Sequence, residues 1–256
     1  MISDLILLDI TPPIATLTLN RPQRHNSLIP EMLEALLSAL QTIEANEDVK
    51  VVVLQANGRS FSTGGDVKAF YLQRANLEAY ANEIVGLLNK VIMAMMHLSV
   101  PVVTAVHGIV TGGSLGLVLA GDIVLIAPKA TITPWYSVVG FSPDGGWTAM
   151  LPAIIGAQRT ASILMQNSAI TAKKAVRWGI AGRIVPAKKI HAEAQKVAQT
   201  VAAMKPGSIR HTHQLLADLQ PNLGMRLEAE RIHFVHQIMT EEALNGMAAF
   251  LNVERK

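Results

Sequence analysis

Hydrophobic positions change their period several times along the chain, and each change marks an element. Leu5 to Ile10 and Ile14 to Leu19 are β-type runs on either side of Thr11-Pro12-Pro13, a good turn, and predict a hairpin. From Pro30 onward, Leu33, Leu36, Leu37, Leu40 and Ile43 recur at the spacing of a helix face, and proline suits a first helical turn. Val51 to Leu54 reads as a buried strand. A polar loop from Asn57 leads to a long helical pattern over roughly 76–97 and a second buried strand at Val102 to Val106. A glycine turn then feeds a short helix near Gly113 to Ala120, and Ile123 to Ile126 makes a third strand. Alternation of this kind implies crossover connections and mainly parallel pairing, an α/β fold.

Past Trp147 the β pattern fades. Helical patterns cover about 156–166 and 171–178, with a short strand at Arg183 to Val185. Segments 189–204, 206–219, 222–238 and 240–251 are short amphipathic helices set apart by Pro206, Pro221 and Thr240. The change of character near 190 divides the chain into a core over 1–190 and a helical region over 191–256. Short helices that cannot enclose a core of their own dock on something. No internal repeat, low-complexity tract or flexible linker interrupts the chain.

Composition narrows the classes. With 256 residues, half of them hydrophobic and 16% charged, the chain can bury one substantial core. The absence of cysteine excludes disulfides, thiolate zinc sites and cysteine nucleophiles, and agrees with a reducing cytoplasm, the expected location. The net charge is +3, yet Lys and Arg never run beyond two in a row and aromatics are scarce. No nucleic-acid stripe is expected; an anionic small molecule fits better. The start MISDLILLDI has acids at positions 4 and 9 and no basic leader, so no signal peptide is expected. Leu98 to Gly121 carries no formal charge over a bilayer-spanning length, but Pro101, His107 and five glycines break it, so no membrane span is expected either.

Several motifs are weaker than they look. "GGSLG", Gly112 to Gly116, matches G-x-S-x-G, but His107 to Thr111 intervene between strand and serine and no oxyanion loop of the HGGG type lies upstream, which argues against Ser114 as a nucleophile. His211-x-His213 and His233-x-x-His236 lack matching carboxylates, so no metal is expected. Met93, Met95 and Met96 read as core filling.

Two glycine turns carry more information together. "NGRSFSTGGD", Asn57 to Asp66, and "HGIVTGGSLG", His107 to Gly116, each follow a buried strand. Crevices beyond the carboxyl ends of parallel strands are common ligand sites, and the second turn opens a helix whose N-terminus favours negative charge. The pair reads as an oxyanion hole. "GFSPDGGW", Gly140 to Trp147, sets one acid, Asp144, in an apolar stretch; an Asp-Gly pair is otherwise ordinary turn chemistry.

"NRPQRHNSL" (20–28), "GRSFSTGGDVKAF" (58–70), "VPVVTAVHGIVTGGSLGLVLAGDIVLIAP" (100–128), "GFSPDGGWTAMLPAIIG" (140–156), "ITAKKAVRWGIAGRIVP" (170–186) and "GMAAFL" (246–251) resemble, in order, the crotonase or enoyl-CoA hydratase/isomerase superfamily. The resemblance implies a spiral of ββα repeats with a C-terminal helical region used for trimerisation, often in hexamers built from two trimers. It implies an acyl-CoA thioester as substrate, coenzyme A being part of that substrate rather than a separate cofactor. It places the two enolate-stabilising amides at Gly65 and Gly113. The coenzyme A pocket maps onto Arg24, His25 and the loop Ser62, Gly64, Asp66, Val67 and Lys68, with Arg24 and Lys68 meeting phosphate charge.

The departures from the family pattern are as telling. Hydratases of this superfamily use two glutamates, and the corresponding positions here are Gly116 and Tyr136. Hydration needs a base for water and an acid for carbon, so their absence points away from it. Asp144 matches the aspartate of dienoyl-CoA isomerases and of the ring-epoxide isomerase of phenylacetyl-CoA breakdown, the branches closest in motif pattern. A lone carboxylate suits allylic proton transfer, with Trp135 and Tyr136 as its wall and the Tyr136 hydroxyl orienting it. The expected activity is therefore a double-bond shift between 3-enoyl-CoA and 2-enoyl-CoA. The alternatives are a hydrolase or dehalogenase using Asp144 as base or nucleophile, an enoyl-CoA hydratase, or a coenzyme A-binding member without catalysis in which Asp144 is only a turn residue; the dehalogenase of the family has tryptophan where this chain has Tyr136 and histidine where it has Met93.

Overall fold

The computed structural model describes residues 4–219 and 222–252. Met1 to Ser3 of the N-terminal reading, the break at Pro221 and the last four residues of the 191–256 region lie outside it. Strands β1 (Ile6–Thr11) and β2 (Ile14–Leu19) form the expected antiparallel hairpin. Helix α1 (Pro30–Glu44) returns the chain to β3 (Val51–Ala56), which pairs parallel with β2, Val51 lying opposite Ile14. Val51, Val52, Val53 and Leu54 are all buried, as a central parallel strand covered on both faces requires. Helices α2 (Val67–Leu72) and α3 (Leu77–Met96) follow, then β4 (Val102–Val106) and β5 (Ile109–Thr111).

A one-turn 3₁₀ segment, Gly112–Ser114, leads into α4 (Leu115–Leu119), β6 (Ile123–Ile126), β7 (Thr131–Thr133) and α5 (Tyr136–Val139). Next come α6 (Leu151–Ile155), α7 (Ala157–Met165), β8 (Ile170–Thr171), α8 (Ala172–Arg177) and β9 (Arg183–Ile184). Helices α9 (Ile190–Ala202), α10 (Pro206–Ala217), α11 (Leu223–Ile238) and α12 (Glu241–Phe250) complete the described chain.

The strands make two sheets, one in the order β1-β2-β3-β4-β6-β9 and a smaller one in the order β5-β7-β8. Consecutive strands β4 and β5 belong to different sheets, as do β6 and β7, so each ββα turn hands the chain from the large sheet to the small one. A parallel bridge between Ser62 and Val110 extends the same pattern to the segment after β3. The handover after β4 needs Gly108, whose φ is +63° and where a Cβ would stand 2.0 Å from the Arg59 carbonyl oxygen. Three-residue strands such as β5 and β7 are too short for alternation to be read, and the sequence therefore shows one glycine turn where the structure has a turn and a strand. Helix α2 likewise occupies what reads as loop.

One face of the large sheet is covered by α9, which touches β2, β3, β4 and β6. Helix α3 lies against both α1 and α11, and α12 packs on α2 and α5. The last contact is backbone against backbone: a Cβ at Gly246 would stand 2.0 Å from the Val139 carbonyl oxygen. The apolar stretch from Leu98 to Gly121 is divided among β4, β5 and α4, and among the described residues no helix is long and apolar enough to cross a membrane.

Candidate active site

A cavity of about 450 Å³ opens where the two glycine turns meet, lined by Gly65, Gly113, Tyr136 and Asp144 together with apolar side chains such as Leu88 and Phe234. The turns are in contact: a Cβ at Gly64, φ +71°, would fall 2.6 Å from the Thr111 carbonyl oxygen. Two hydrogen bonds orient the peptides on either side. The Gly64 carbonyl accepts from Leu28 N at 2.7 Å, and the Gly112 carbonyl accepts from Trp147 Nε1 at 2.8 Å. In a trans peptide the N–H points opposite to the C=O. The Gly65 and Gly113 N–H groups are thereby turned away from those partners, and among the described residues neither has an acceptor within the chain.

Asp144 sits on the turn between α5 and α6 and is 7% exposed. Its Oδ1 accepts the Tyr136 hydroxyl at 2.6 Å. A Cβ at Gly113 would lie 2.9 Å and 3.0 Å from the two carboxylate oxygens, so the acid stands directly beside the second turn. Gly145, φ +60°, comes so close that its Cβ would be 2.3 Å from the Gly113 carbonyl oxygen. The Asp-Gly pair is thus a close approach of two backbones as well as a turn. Burial in this apolar wall pushes the Asp144 pKa up to about 7; the Tyr136 hydrogen bond lowers it and the charge of Glu230 raises it. Burial likewise drives the Tyr136 phenol well above its usual range, and the neighbouring Asp144 charge adds to this.

At the cavity mouth Asp66 caps α2, accepting Lys68 N at 3.2 Å and Ala69 N at 3.3 Å. It also pairs with Arg21 at 2.9 Å and Arg24 at 3.1 Å. Burial opposes its charge, but the Arg21 and Arg24 contacts outweigh it and leave the Asp66 pKa lowered. His25 Nδ1 lies 3.0 Å from Ser60 Oγ. Arg24, His25, Asp66, Val67 and Lys68 all border the cavity. Ser62 stands behind that wall, fully buried, with its hydroxyl donating to the Asn26 carbonyl at 2.7 Å. Gly64 contributes the oriented carbonyl rather than a lining surface.

The two positions where hydratases carry glutamates are closed to that chemistry. A Cβ at Gly116 would stand 2.3 Å from Ile92 Cδ1 and 2.8 Å from the Gly145 carbonyl oxygen, and Tyr136 is committed to Asp144. Ser114 is fully buried, its hydroxyl donating to the carbonyls of Thr111 and Ser62 at 2.6 Å and 3.0 Å, and among the described residues no basic side chain partners it. His213 pairs with Asp122 at 2.7 Å, and among the described residues no cluster of three metal-ligating side chains occurs. Met93 is half-buried against the core.

Sequence reasoning passed over three contributors. Arg21 joins Ser27 and Asp66 under the mouth. Phe70, Phe141 and Phe234 meet at centroid distances of 5.4–5.8 Å and line the cavity, although they come from α2, the loop after α5 and α11. Glu230 accepts hydrogen bonds from the turn that follows Asp144. Its signal was readable: an acid on the buried stripe Leu223, Leu227, Glu230, Phe234 of an amphipathic helix.

A model of the family described as enoyl-CoA hydratase/isomerase matches residues 9–256. The chain is 28% identical to a 1,2-epoxyphenylacetyl-CoA isomerase of Escherichia coli, over 97% of this chain and 95% of that one. It is 30% identical to a trans-2-decenoyl-acyl-carrier-protein isomerase of Streptococcus mutans, over 80% and 77% respectively. A crystal structure of an enoyl-CoA hydratase from Bacillus anthracis superposes with a TM-score of 0.79 at 28% identity, covering 97% of this chain and 96% of that one.

Proposed function

The chain belongs to the enoyl-CoA hydratase/isomerase family, the crotonase superfamily, and on that premise we propose that it is an acyl-CoA isomerase with Asp144 as its single proton-transferring group. The thioester carbonyl oxygen of a 3-enoyl-CoA accepts the Gly65 and Gly113 N–H groups. Asp144 removes a proton from the carbon next to the carbonyl, and the electron pair spreads over a dienolate whose negative oxygen the two amides stabilise. Asp144 then returns the proton to the far end of the dienolate, leaving the 2-enoyl-CoA. A lost oxyanion-hole donor typically costs about 3 kcal/mol of transition-state stabilisation, so both amides matter.

The observation that carries this reading is the inventory of acids. Among the described residues, the carboxylates bordering the cavity are Asp66 and Asp144, and Asp66 is bound to two arginines. A base with a pKa near 7 is half-ionised at neutral pH, suited to take up and release the same proton. The mouth residues Arg24 and Lys68 supply positive charge for the phosphates of coenzyme A, with His25 beside them on the cavity wall. The exposed Leu215 and Leu216 of α10 fit a C-terminal region buried by other copies of the chain. Incubation of the enzyme with 3-enoyl-CoA, 2-enoyl-CoA and aroyl-CoA tests the activity. Formation of 2-enoyl-CoA from 3-enoyl-CoA, lost in Asp144→Asn, supports isomerisation; release of free coenzyme A or halide instead would show a hydrolytic enzyme.

A further inference from the structure

We propose that Glu230, on the C-terminal helix α11, is a positioning residue of this reaction: its carboxylate clamps the turn that carries Asp144 and places negative charge behind it. The proposal rests on the reading of Asp144 as the base. Glu230 is 4% exposed. Its Oε2 accepts Gly146 N at 2.8 Å, and its Oε1 accepts Thr148 N at 2.6 Å, Thr148 Oγ1 at 2.7 Å and Ala149 N at 2.9 Å. Four donors converge on one side chain, and a carboxylate is the form that accepts from all of them. Burial raises the Glu230 pKa while these donors oppose the rise.

The amides it satisfies belong to the turn just before α6, where no preceding backbone carbonyl takes them. Glu230 therefore acts as a cap supplied by a distant helix. One turn further along α11, Phe234 lines the cavity and touches Phe70 and Phe141. The same helix thus sets the acyl wall at one point and the acid at another. Among the described residues, the charged and titratable groups facing Asp144 and its turn are Tyr136 from α5, and Glu230 with Arg226 from α11. Arg226 donates to the Thr148 carbonyl at 3.0 Å. Helix α3 presents Leu88 beside Gly113, and the second glycine turn presents only backbone.

The test is the pH profile of kcat in Glu230→Gln. The glutamine amide faces Gly146 N as donor against donor, and the negative charge is gone, so Asp144 ionises more readily. Turnover at pH 8 is expected to fall about tenfold while KM stays within about twofold, and the acid limb to move down by about one pH unit. Glu230→Asp keeps the charge but withdraws the carboxylate; it should lose turnover with the limb nearly in place, and it serves alone if Glu230→Gln does not fold. A cap that merely stabilises the fold would lower melting temperature without moving the limb, and that result overturns the proposal. So does unchanged turnover in both variants, or a shifted limb in Glu230→Asp. Asp144→Asn run alongside separates the two readings: if it keeps wild-type turnover, the assignment of the base has failed and this inference falls with it. If it is inactive while the Glu230 variants behave as wild type, only the role of Glu230 has failed.

Discussion

Replacing Asp144 by asparagine should abolish turnover and stabilise the protein, and the stabilisation should depend on pH in a defined way. The carboxyl has an ordinary pKa of 3.8 and is pushed up to about 7 in the folded chain by burial. Between those values the unfolded chain releases a proton that the folded chain keeps, so wild-type stability falls as pH rises through this window and levels off above it. At 1.36 kcal/mol per unit, the ionised acid costs about 4 kcal/mol at pH 8 relative to pH 4. Asparagine keeps an oxygen for the Tyr136 hydroxyl and removes the titration. The stability advantage of Asp144→Asn should therefore be small at pH 4, grow through pH 5 to 7, and be constant above. For a chain of this size, a difference of that order corresponds to about 10 °C in melting temperature. Thermal scans of both proteins at pH 4.5, 6 and 8 measure it. An advantage that is independent of pH, or largest in acid, would refute the claim that burial disfavours this charge.

Tyr136→Phe removes the hydroxyl that stabilises the Asp144 carboxylate, so the acid limb of kcat should move to higher pH. Activity at pH 7 should drop about tenfold, the worth of one charge-assisted hydrogen bond; a limb that stays in place contradicts that role. Gly116→Glu places a hydratase-like acid where even a Cβ meets the Gly145 backbone. It should lower the melting temperature and yield no 3-hydroxyacyl-CoA, as product analysis would show. His213 has its pKa raised, chiefly by its hydrogen bond to Asp122. Its stabilising contribution is complete below the unfolded value of about 6.5 and lost as pH rises through the folded one. His213→Gln should accordingly cost more at pH 5.5 than at pH 9, read from urea unfolding midpoints at the two values.

Legibility in the sequence followed the length of each signal. Helices α1, α3 and α9 and strands β3, β4 and β6 repeat a period often enough, or are apolar for long enough, to stand out. Strands β5 and β7 are three residues each, and helix α2 is hidden because Asp66, its cap, reads as part of a glycine loop. At the site, the family resemblance points to Gly65, Gly113, Tyr136 and Asp144, and the structure brings all four to one cavity. The rest depended on contacts over long separations. Arg21 reaches Asp66 across 45 residues and Glu230 reaches Thr148 across 82, distances at which no local pattern links the partners. The acid on the buried stripe of α11 was a visible anomaly; what it capped was not.

The indole hydrogen bond from Trp147 to the Gly112 carbonyl has a mechanical consequence. Trp147 is three residues beyond Asp144, and Gly112 immediately precedes Gly113, so this one link ties the segment that carries Asp144 to the turn that carries Gly113. Acyl-CoA substrates that differ along their tails would, on the proposed mechanism, all meet the same interval between carbonyl anchor and proton acceptor. On the proposed mechanism, selectivity for the position of the double bond would follow from that interval, and tolerance of tail size from Phe70, Phe141 and Phe234.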